Sequence, residues 1–292
     1  MSDPVLVGLI GRNILGSLSP ALQEDAFAAA NLRGFYHLMD LDVLAGRHLP
    51  ELIAAIRAAG FAGVNVTYPC KEEVLPLLDG ISAEARQIGA VNTITIGRDG
   101  RTLGHNTDRI GFRRSFEDTL GRAAIADKDA ALVGAGGAGR AVAFALLDLG
   151  AARVLVHDQD GARAAALVAD LVRHCGPGRG RLIEDPQVEL PTACGIVNAT
   201  PVGMLGFPGN PIAPDAIRDH HWVADVIYTP LETELIKLAR AKGARVLGGS
   251  GMVIHQAVAA FRLFTGLDAD VDRMRRVFAR AAAARDAAAT PP

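Results

Sequence analysis

Cysteine and net charge are both scarce in this chain, and each scarcity removes a class of function. Only three cysteines, Cys70, Cys175 and Cys194, occur in 292 residues. They stand far apart, with neither metal-ligand spacing nor an even set for a disulfide framework. A formal net charge of −2 supplies no attraction to nucleic acid or to an anionic membrane. No apolar run approaches the roughly 20 residues that cross a bilayer. The first ten residues lack the basic flank and the small-residue cleavage site of a secretory signal. No internal repeat is found. The expectation is a reduced, cytoplasmic protein, a monomer or homodimer, whose partner is a small molecule rather than nucleic acid or membrane.

What the chain does have is a core. Half of its residues are hydrophobic and about a fifth are charged, as in ordinary globular enzymes. Short apolar runs at 5–10, 34–41 and 61–67 read as strands, separated by helical patterns at 20–30 and 49–59. Ser19 is placed to cap the first helix, with Pro20 at its opening position, where a missing N–H costs nothing. Pro69 opens a helix expected to reach about residue 78, and Ser82 caps a short one ending at 88. Strands at 90–96 and 102–105 flank the turn Gly97-Arg98-Asp99-Gly100. The pattern implies βαβ units and a mainly parallel sheet, that last pair excepted. Beyond a helix at 110–120, a second α/β series starts at Asp129. Its strands are expected at 130–133, 153–157, 181–184, 195–198, 222–226 and 245–247. Helices at 252–265 and 271–284 follow, with the alanine-rich 281–292 fraying.

Gly134-Ala135-Gly136-Gly137-Ala138-Gly139 follows the first of those strands and precedes a strong helix. In that context a G-x-G-x-x-G match is a dinucleotide fingerprint. The first glycine permits a tight turn, the second lets backbone N–H groups approach a pyrophosphate, and the third lets helix and strand pack closely. Asp158, 24 residues after Gly134 and at the end of the next strand, can accept hydrogen bonds from an unmodified ribose and would repel a 2′-phosphate. No arginine occupies 157–160, and Arg163 lies in the following helix. NAD is therefore favoured over NADP, although Asp158 or Asp160 could cap that helix. The fold class is α/β: an N-terminal α/β substrate domain (1–110 with 250–292) and a Rossmann-type, doubly wound dinucleotide-binding domain (111–249).

A second group of polar residues sits at the ends of apolar runs. Asn65 and Thr67 alternate on one strand and share a face. Lys71 falls in the first turn of a helix, against the helix dipole, which points to another task for it. An ammonium near a carboxylate such as Asp108, ringed by neutral groups such as Asn92, suits proton transfer on a polyhydroxylated substrate. Taken singly, Lys71 could be a surface lysine, Asp108 a helix cap and Asn92 a turn former.

The pattern as a whole narrows these options. Asn65-Val66-Thr67-Tyr68-Pro69-Cys70-Lys71, Ile88-Gly89-Ala90-Val91-Asn92-Thr93 and Gly104-His105-Asn106-Thr107-Asp108-Arg109-Ile110-Gly111-Phe112 closely resemble signature segments of the shikimate dehydrogenase family. The likeness extends to Ser17-Leu18-Ser19-Pro20, Asn198-Ala199-Thr200-Pro201-Val202-Gly203-Met204, Asp225-Val226-Ile227-Tyr228-Thr229-Pro230-Leu231-Glu232-Thr233, Gly249-Ser250-Gly251-Met252 and Gln256. It spans most of the chain. The resemblance implies NAD(P)-linked interconversion of shikimate or quinate with its 3-dehydro ketone. It implies Lys71 and Asp108 as the catalytic pair, and Ser17 and Ser19 on the substrate carboxylate. Asn65, Thr67, Asn92 and Gln256 would lie on the ring side, with Tyr228 lining the pocket. Gly134, Ala135, Gly136, Gly137, Ala138, Asp158 and Arg163 would hold the coenzyme, and Thr200, Val226, Gly249 and Met252 would wall its nicotinamide.

Three positions depart from the family pattern. Gly16 and Gln23 replace histidines beside the carboxylate clamp, and Cys70 replaces an aromatic before the lysine. Cys70, the 36–42 segment and Asp158 look like the NAD-using quinate/shikimate branch. Gly16 and Gln23 keep an amino-substituted ring acid open as substrate. A non-catalytic, NAD-sensing homologue is the third alternative.

Overall fold

The computed structural model describes residues 4–44 and 46–289. In chain order the elements are β1 (Val5–Gly11), α1 (Ser19–Ala29), β2 (Gly34–Asp40), α2 (Leu49–Ala58), β3 (Gly63–Val66), α3 (Cys70–Glu73), β4 (Gly80–Ile81), α4 (Ala83–Ile88), β5 (Thr93–Ile96) and β6 (Thr102–His105). There follow α5 (Asp108–Thr119), β7 (Asp129–Val133), α6 (Gly137–Asp148), β8 (Arg153–His157), α7 (Gly161–Cys175), β9 (Gly180–Leu182) and α8 (Pro186–Glu189). The last are β10 (Gly195–Asn198), β11 (Trp222–Asp225), α9 (Glu234–Ala241), β12 (Arg245–Leu247), α10 (Ser250–Thr265) and α11 (Val271–Ala289). They form two compact units, the described residues of Met1–Thr107 with Ile254–Pro292, and Asp108–Val253.

The first unit holds a six-stranded sheet in the order β2-β1-β3-β5-β6-β4. β1 runs parallel to both β2 and β3. The hairpin of β5 and β6 turns the far half antiparallel. Ile10, Val64, Val66 and Ile94 project from the sheet against Leu49, Leu52, Ile53 and Ile56 of α2. Those four helical positions recur at three- and four-residue spacing, which puts them on one face. The link from β1 to α1 is shaped by Asp40 at the end of β2. Its buried carboxylate accepts the N–H groups of Ile14 (2.8 Å), Asn13 (3.2 Å) and Asp42 (3.0 Å).

In the second unit all six strands are parallel, ordered β12-β11-β10-β7-β8-β9. The chain reverses its direction of winding between β7 and β10, the switch point at which doubly wound folds bind ligands. Strands covered on both faces need continuous apolar runs. Ala130–Leu132, Val154–Val156, Ile196–Val197 and Val223–Ala224 are such runs, and all are buried. The α/β class expected from sequence is the class observed.

Local details differ from expectation. Ser19 does not cap α1. It is the helix's first residue, Leu18 takes the cap position, and Ser17 Oγ accepts the Ser19 N–H at 3.3 Å. That short side-chain turn starts the helix one residue early. The helix expected over 69–78 stops at Glu73 and continues only as a 3₁₀ turn over Leu75–Leu77. Pro76 is the cause, since it has no N–H to donate and its ring opposes the carbonyl four residues back. The two-residue β4 was not anticipated. α11 runs on to Ala289 rather than ending at 284, because alanine propagates a helix better than any other residue. The remainder of the expected fraying, 290–292, lies outside the described residues.

Asp40→Ala is expected to lower stability by about 2 kcal/mol, mainly through the stranded Ile14 N–H. Urea unfolding followed by circular dichroism measures it, and an unchanged midpoint would remove Asp40 from this role.

Candidate active site

Within the first unit, hydrogen bonds gather around Asn92. Its main chain joins two strands, donating to His105 O (3.0 Å) and accepting from Val66 N (2.8 Å). Its side-chain Oδ1 accepts the Thr107 N–H at 2.7 Å, and its Nδ2 donates to Gln256 Oε1 at 3.4 Å. Asn92 is therefore a hub and not a turn former. The Lys71 carbonyl accepts the Val91 N–H at 2.9 Å, so the backbones of Lys71 and Thr107 are both tied to adjacent residues. Asp108 follows Thr107 and opens α5, with its side chain buried. Lys71 itself is half-buried.

Asn65 is held at both ends of its amide. Tyr36 Oη donates to its Oδ1 (2.9 Å), and its Nδ2 donates to Thr93 Oγ1 (2.9 Å). Thr67 packs against the end of β1, where a Cβ on Gly11 would lie 2.4 Å from its methyl carbon. Gly11 is thus the residue that lets Thr67 occupy this place. Ser17 and Ser19 are half-buried at the start of α1, and Gly16 beside them is exposed. Gln23, only 1 % exposed, donates through Nε2 to Ala257 O (2.9 Å), while its Oε1 has no partner among the described residues. Gln23 thereby ties α1 to α10 one residue beyond Gln256. Burial pushes the Cys70 thiol up to about 11, with Glu73 adding to the effect. A thiol so protonated is packing, not a nucleophile.

The second unit carries the glycine loop between β7 and α6. Gly134 has φ +104°, and a Cβ there would strike the Ala199 carbonyl carbon at 2.7 Å. A Cβ on Gly139 would strike Gly134 O at 1.9 Å. Gly136 differs: among the described residues, its Cβ would meet only the Arg163 guanidinium, 3.6 Å away. The opening of α6 has no side-chain cap. The loop is therefore closed beneath and open above, with the N–H groups of Gly137 and Ala138 at the helix start and the Arg163 guanidinium beside Gly136. These residues fit a dinucleotide pyrophosphate.

Asp158 is not the cap of α7. Asp160 takes that place, accepting from Ala162 N (3.0 Å) and Arg163 N (3.3 Å). Asp158 instead turns to the glycine loop, accepting the N–H groups of Ala135 (2.6 Å) and Asp160 (2.9 Å). Each carboxylate oxygen retains a lone pair for a ribose hydroxyl.

At the ends of the neighbouring strands lies a network that sequence reasoning did not assign. Asn198 Oδ1 accepts both Thr200 N (2.9 Å) and Thr200 Oγ1 (2.8 Å), and its Nδ2 donates to Asp225 Oδ1 (3.1 Å). Asp225 also accepts from Ile227 N (3.1 Å) and Thr233 Oγ1 (2.7 Å). Burial raises its carboxyl to about 6 against the pull of these three donors. A polar residue closing each of two apolar strands was the available signal. Val226 is half-buried just beyond, and Met252 is buried in α10. The Gly249 N–H reaches Ile227 O (3.3 Å), and a Cβ on Gly249 would lie 2.5 Å from Val226 O. Tyr228 follows in the same loop, half-buried.

Residues 9–94 match the model of the shikimate dehydrogenase substrate binding domain, and residues 249–277 that of the shikimate 5′-dehydrogenase C-terminal domain. A quinate/shikimate dehydrogenase (NAD(+)) of Corynebacterium efficiens is 48 % identical over 280 residues, 94 % of this chain and 98 % of that one. The chain belongs to the shikimate dehydrogenase family. Quinate dehydrogenase from Corynebacterium glutamicum, solved in complex with NAD, superposes with a TM-score of 0.87 at 43 % identity, covering 96 % of this chain and all of that one. A family member from Pseudarthrobacter chlorophenolicus, 44 % identical over 99 % of both chains, is a shikimate dehydrogenase (NADP(+)). Coenzyme choice thus varies among relatives of comparable identity. No helix of the described residues is long and apolar enough to cross a membrane.

The Asp225 carboxyl gives a test by pH. Its folded pKa, near 6, lies above the ordinary 3.8, so the protonated form is the one folding favours. That contribution is full below about pH 4 and is lost as pH rises through 6. Relative to wild type, Asp225→Asn is therefore expected to gain about 3 kcal/mol between pH 4 and pH 8. Unfolding midpoints across that range measure it, and a pH-independent difference would contradict the raised value.

Proposed function

We propose that the chain is an NAD-preferring dehydrogenase that interconverts quinate, shikimate or both with the 3-dehydro ketone. The single observation that carries this reading is the anchoring of Lys71 and Thr107 to Val91 and Asn92. It constrains an ammonium-bearing residue, and the residue preceding a buried acid, through one pair of neighbours. In the oxidation direction Lys71 takes the proton of the reacting hydroxyl. In reduction it returns that proton to the nascent alkoxide. Asp108 orients the reacting hydroxyl. Ser17 and Ser19 offer the substrate carboxylate neutral hydroxyl donors. Thr67, Asn92 and Gln256 address the ring hydroxyls, Asn65 holds Asn92 and Thr93 in place, and Tyr228 lines the pocket.

When bound, NAD supplies hydride acceptance. The N–H groups along Gly134, Ala135, Gly136, Gly137 and Ala138, with Arg163, would hold its pyrophosphate, and Asp158 its adenosine ribose. Thr200, Val226, Gly249 and Met252 would wall the nicotinamide. Three scattered, unpaired thiols fit a reducing cytoplasm, and a monomer or homodimer suffices for this chemistry. A second reading, an amino-substituted or bulkier ring acid, is favoured by Gly16. Among the described residues nothing lies within 4 Å of a Cβ built there, which leaves room beside Ser17.

Initial rates with quinate, shikimate and aminoshikimate, each with NAD and NADP, test both readings. Turnover of none of these acids would defeat both. Lys71→Ala is expected to lower kcat about 10²- to 10⁴-fold with little change in KM, and an intact kcat would take the lysine out of the chemistry. Asp158→Ala should narrow the NAD-over-NADP ratio of kcat/KM by at least about tenfold, since about 1.4 kcal/mol of discrimination suffices for that. An unaltered ratio would assign coenzyme choice elsewhere.

A further inference from the structure

β10 and β11 are parallel neighbours whose last residues, Asn198 and Asp225, stand opposite each other. Both side chains are buried, and both sit where a parallel sheet could as well end in apolar residues. Instead Asp225 collects donors from three separate segments. Asn198 lies at the end of β10, Ile227 lies in the loop after β11, and Thr233 caps α9 by accepting the Ile236 N–H at 3.3 Å. Asn198 is used as fully. Its Oδ1 takes both donors of Thr200, and its Nδ2 reaches Val202 O at 3.2 Å as well as Asp225. Thr200 Oγ1 in turn accepts the Val202 N–H at 3.2 Å. Farther out the two loops meet again, Leu205 N donating to Thr229 O at 3.1 Å.

A single buried acid and a single buried amide thus bind the 198–202 turn to the 225–227 turn and brace both on α9. We propose that Asp225, acting through Asn198, is a positioning residue that clamps the loop of Thr200 to the loop of Val226 as one rigid wall for the nicotinamide. The inference rests on the reading of those loops as the coenzyme wall. An aspartate fits this task better than an asparagine. Three donors converge on its two oxygens, and an amide would keep only one of those acceptors.

Asp225→Asn, which keeps the shape and removes a buried charge, is the first test, with the full chain as background. Expected are a ten- to hundredfold fall in kcat, the range set by a misplacement of about 1 Å, and a rise in the deuterium isotope effect when quinate or shikimate is labelled at the reacting carbon. ADP-ribose, which lacks the nicotinamide, should bind with unchanged affinity. Amide hydrogen exchange over 199–202 and 226–229 should quicken in both segments together. Thr233→Val should move the same readouts less, and Thr233→Ser should restore them. A fall in kcat with an unchanged isotope effect, tracking only the folded fraction, would overturn the proposal. So would loosened loops with kcat intact, or exchange unchanged in either segment. If wild-type protein oxidises neither acid, the dehydrogenase reading itself fails. The exchange experiment then still decides whether the clamp exists.

Discussion

A buried side-chain amide must find a partner for each of its polar atoms or cost the fold the full desolvation of whatever is left over. Asn92 and Asn198 live under that constraint, one in each unit: Asn92 meets it by reaching the segment after the neighbouring β6, and Asn198 by holding the turn after its own strand and the end of the neighbouring β11. Asn92 Oδ1 captures the N–H of Thr107, and Asn198 Oδ1 captures that of Thr200. In both cases an irregular segment is held by a residue at the end of a strand, Asn92 just before β5 and Asn198 closing β10. Functional side chains carried on irregular backbone need such anchoring, because the loop alone would sample many geometries. The candidate chemistry of the chain lies on those anchored segments.

The glycines answer a complementary demand. Gly11 allows Thr67, Gly134 allows the turn that rides on Ala199, and Gly249 allows close approach to the carbonyls of Val226 and Ile227. A methyl group at any of them would push apart the segments that meet there. Gly136 serves by contrast: the space above it stays open, and the nearest atom on offer is a guanidinium nitrogen. Close packing at Gly134 and Gly139, with room for a ligand beside Gly136, is what an anion-binding turn requires.

Sequence patterns disclosed the second sheet readily because each buried parallel strand is an unbroken apolar run, as at Ala130–Leu132. Two-residue β4 carries no periodicity to detect, and Pro76 breaks a helical pattern that is otherwise continuous. Ser19 illustrates a subtler failure: Ser17, Ser19 and Pro20 allow two starts for the helix, and only the bond from Ser19 N to Ser17 Oγ separates them. Asp158 and Asp160 posed the same kind of ambiguity. Either could cap α7 by spacing, and the choice turns on where the Ala135 N–H points. Asn198 and Asp225 were visible as motif letters, yet nothing in a one-dimensional pattern says that they face each other. That fact comes from strand register, which is a property of the sheet and not of either strand.

Asp225 bears on why such a clamp keeps a charge at all. Its carboxyl is held near 6 by burial, so at neutral pH the folded chain carries an ion it would rather neutralise. Proteins tolerate a destabilising group where geometry matters more than stability. Protonation would place a donor among donors, with Asn198, Ile227 and Thr233 all presenting hydrogens to the same two oxygens. The ionised form presents two oxygens that accept all three. The cost of the charge and the rigidity of the two loops therefore have a single origin, and relieving the first by substitution must relax the second.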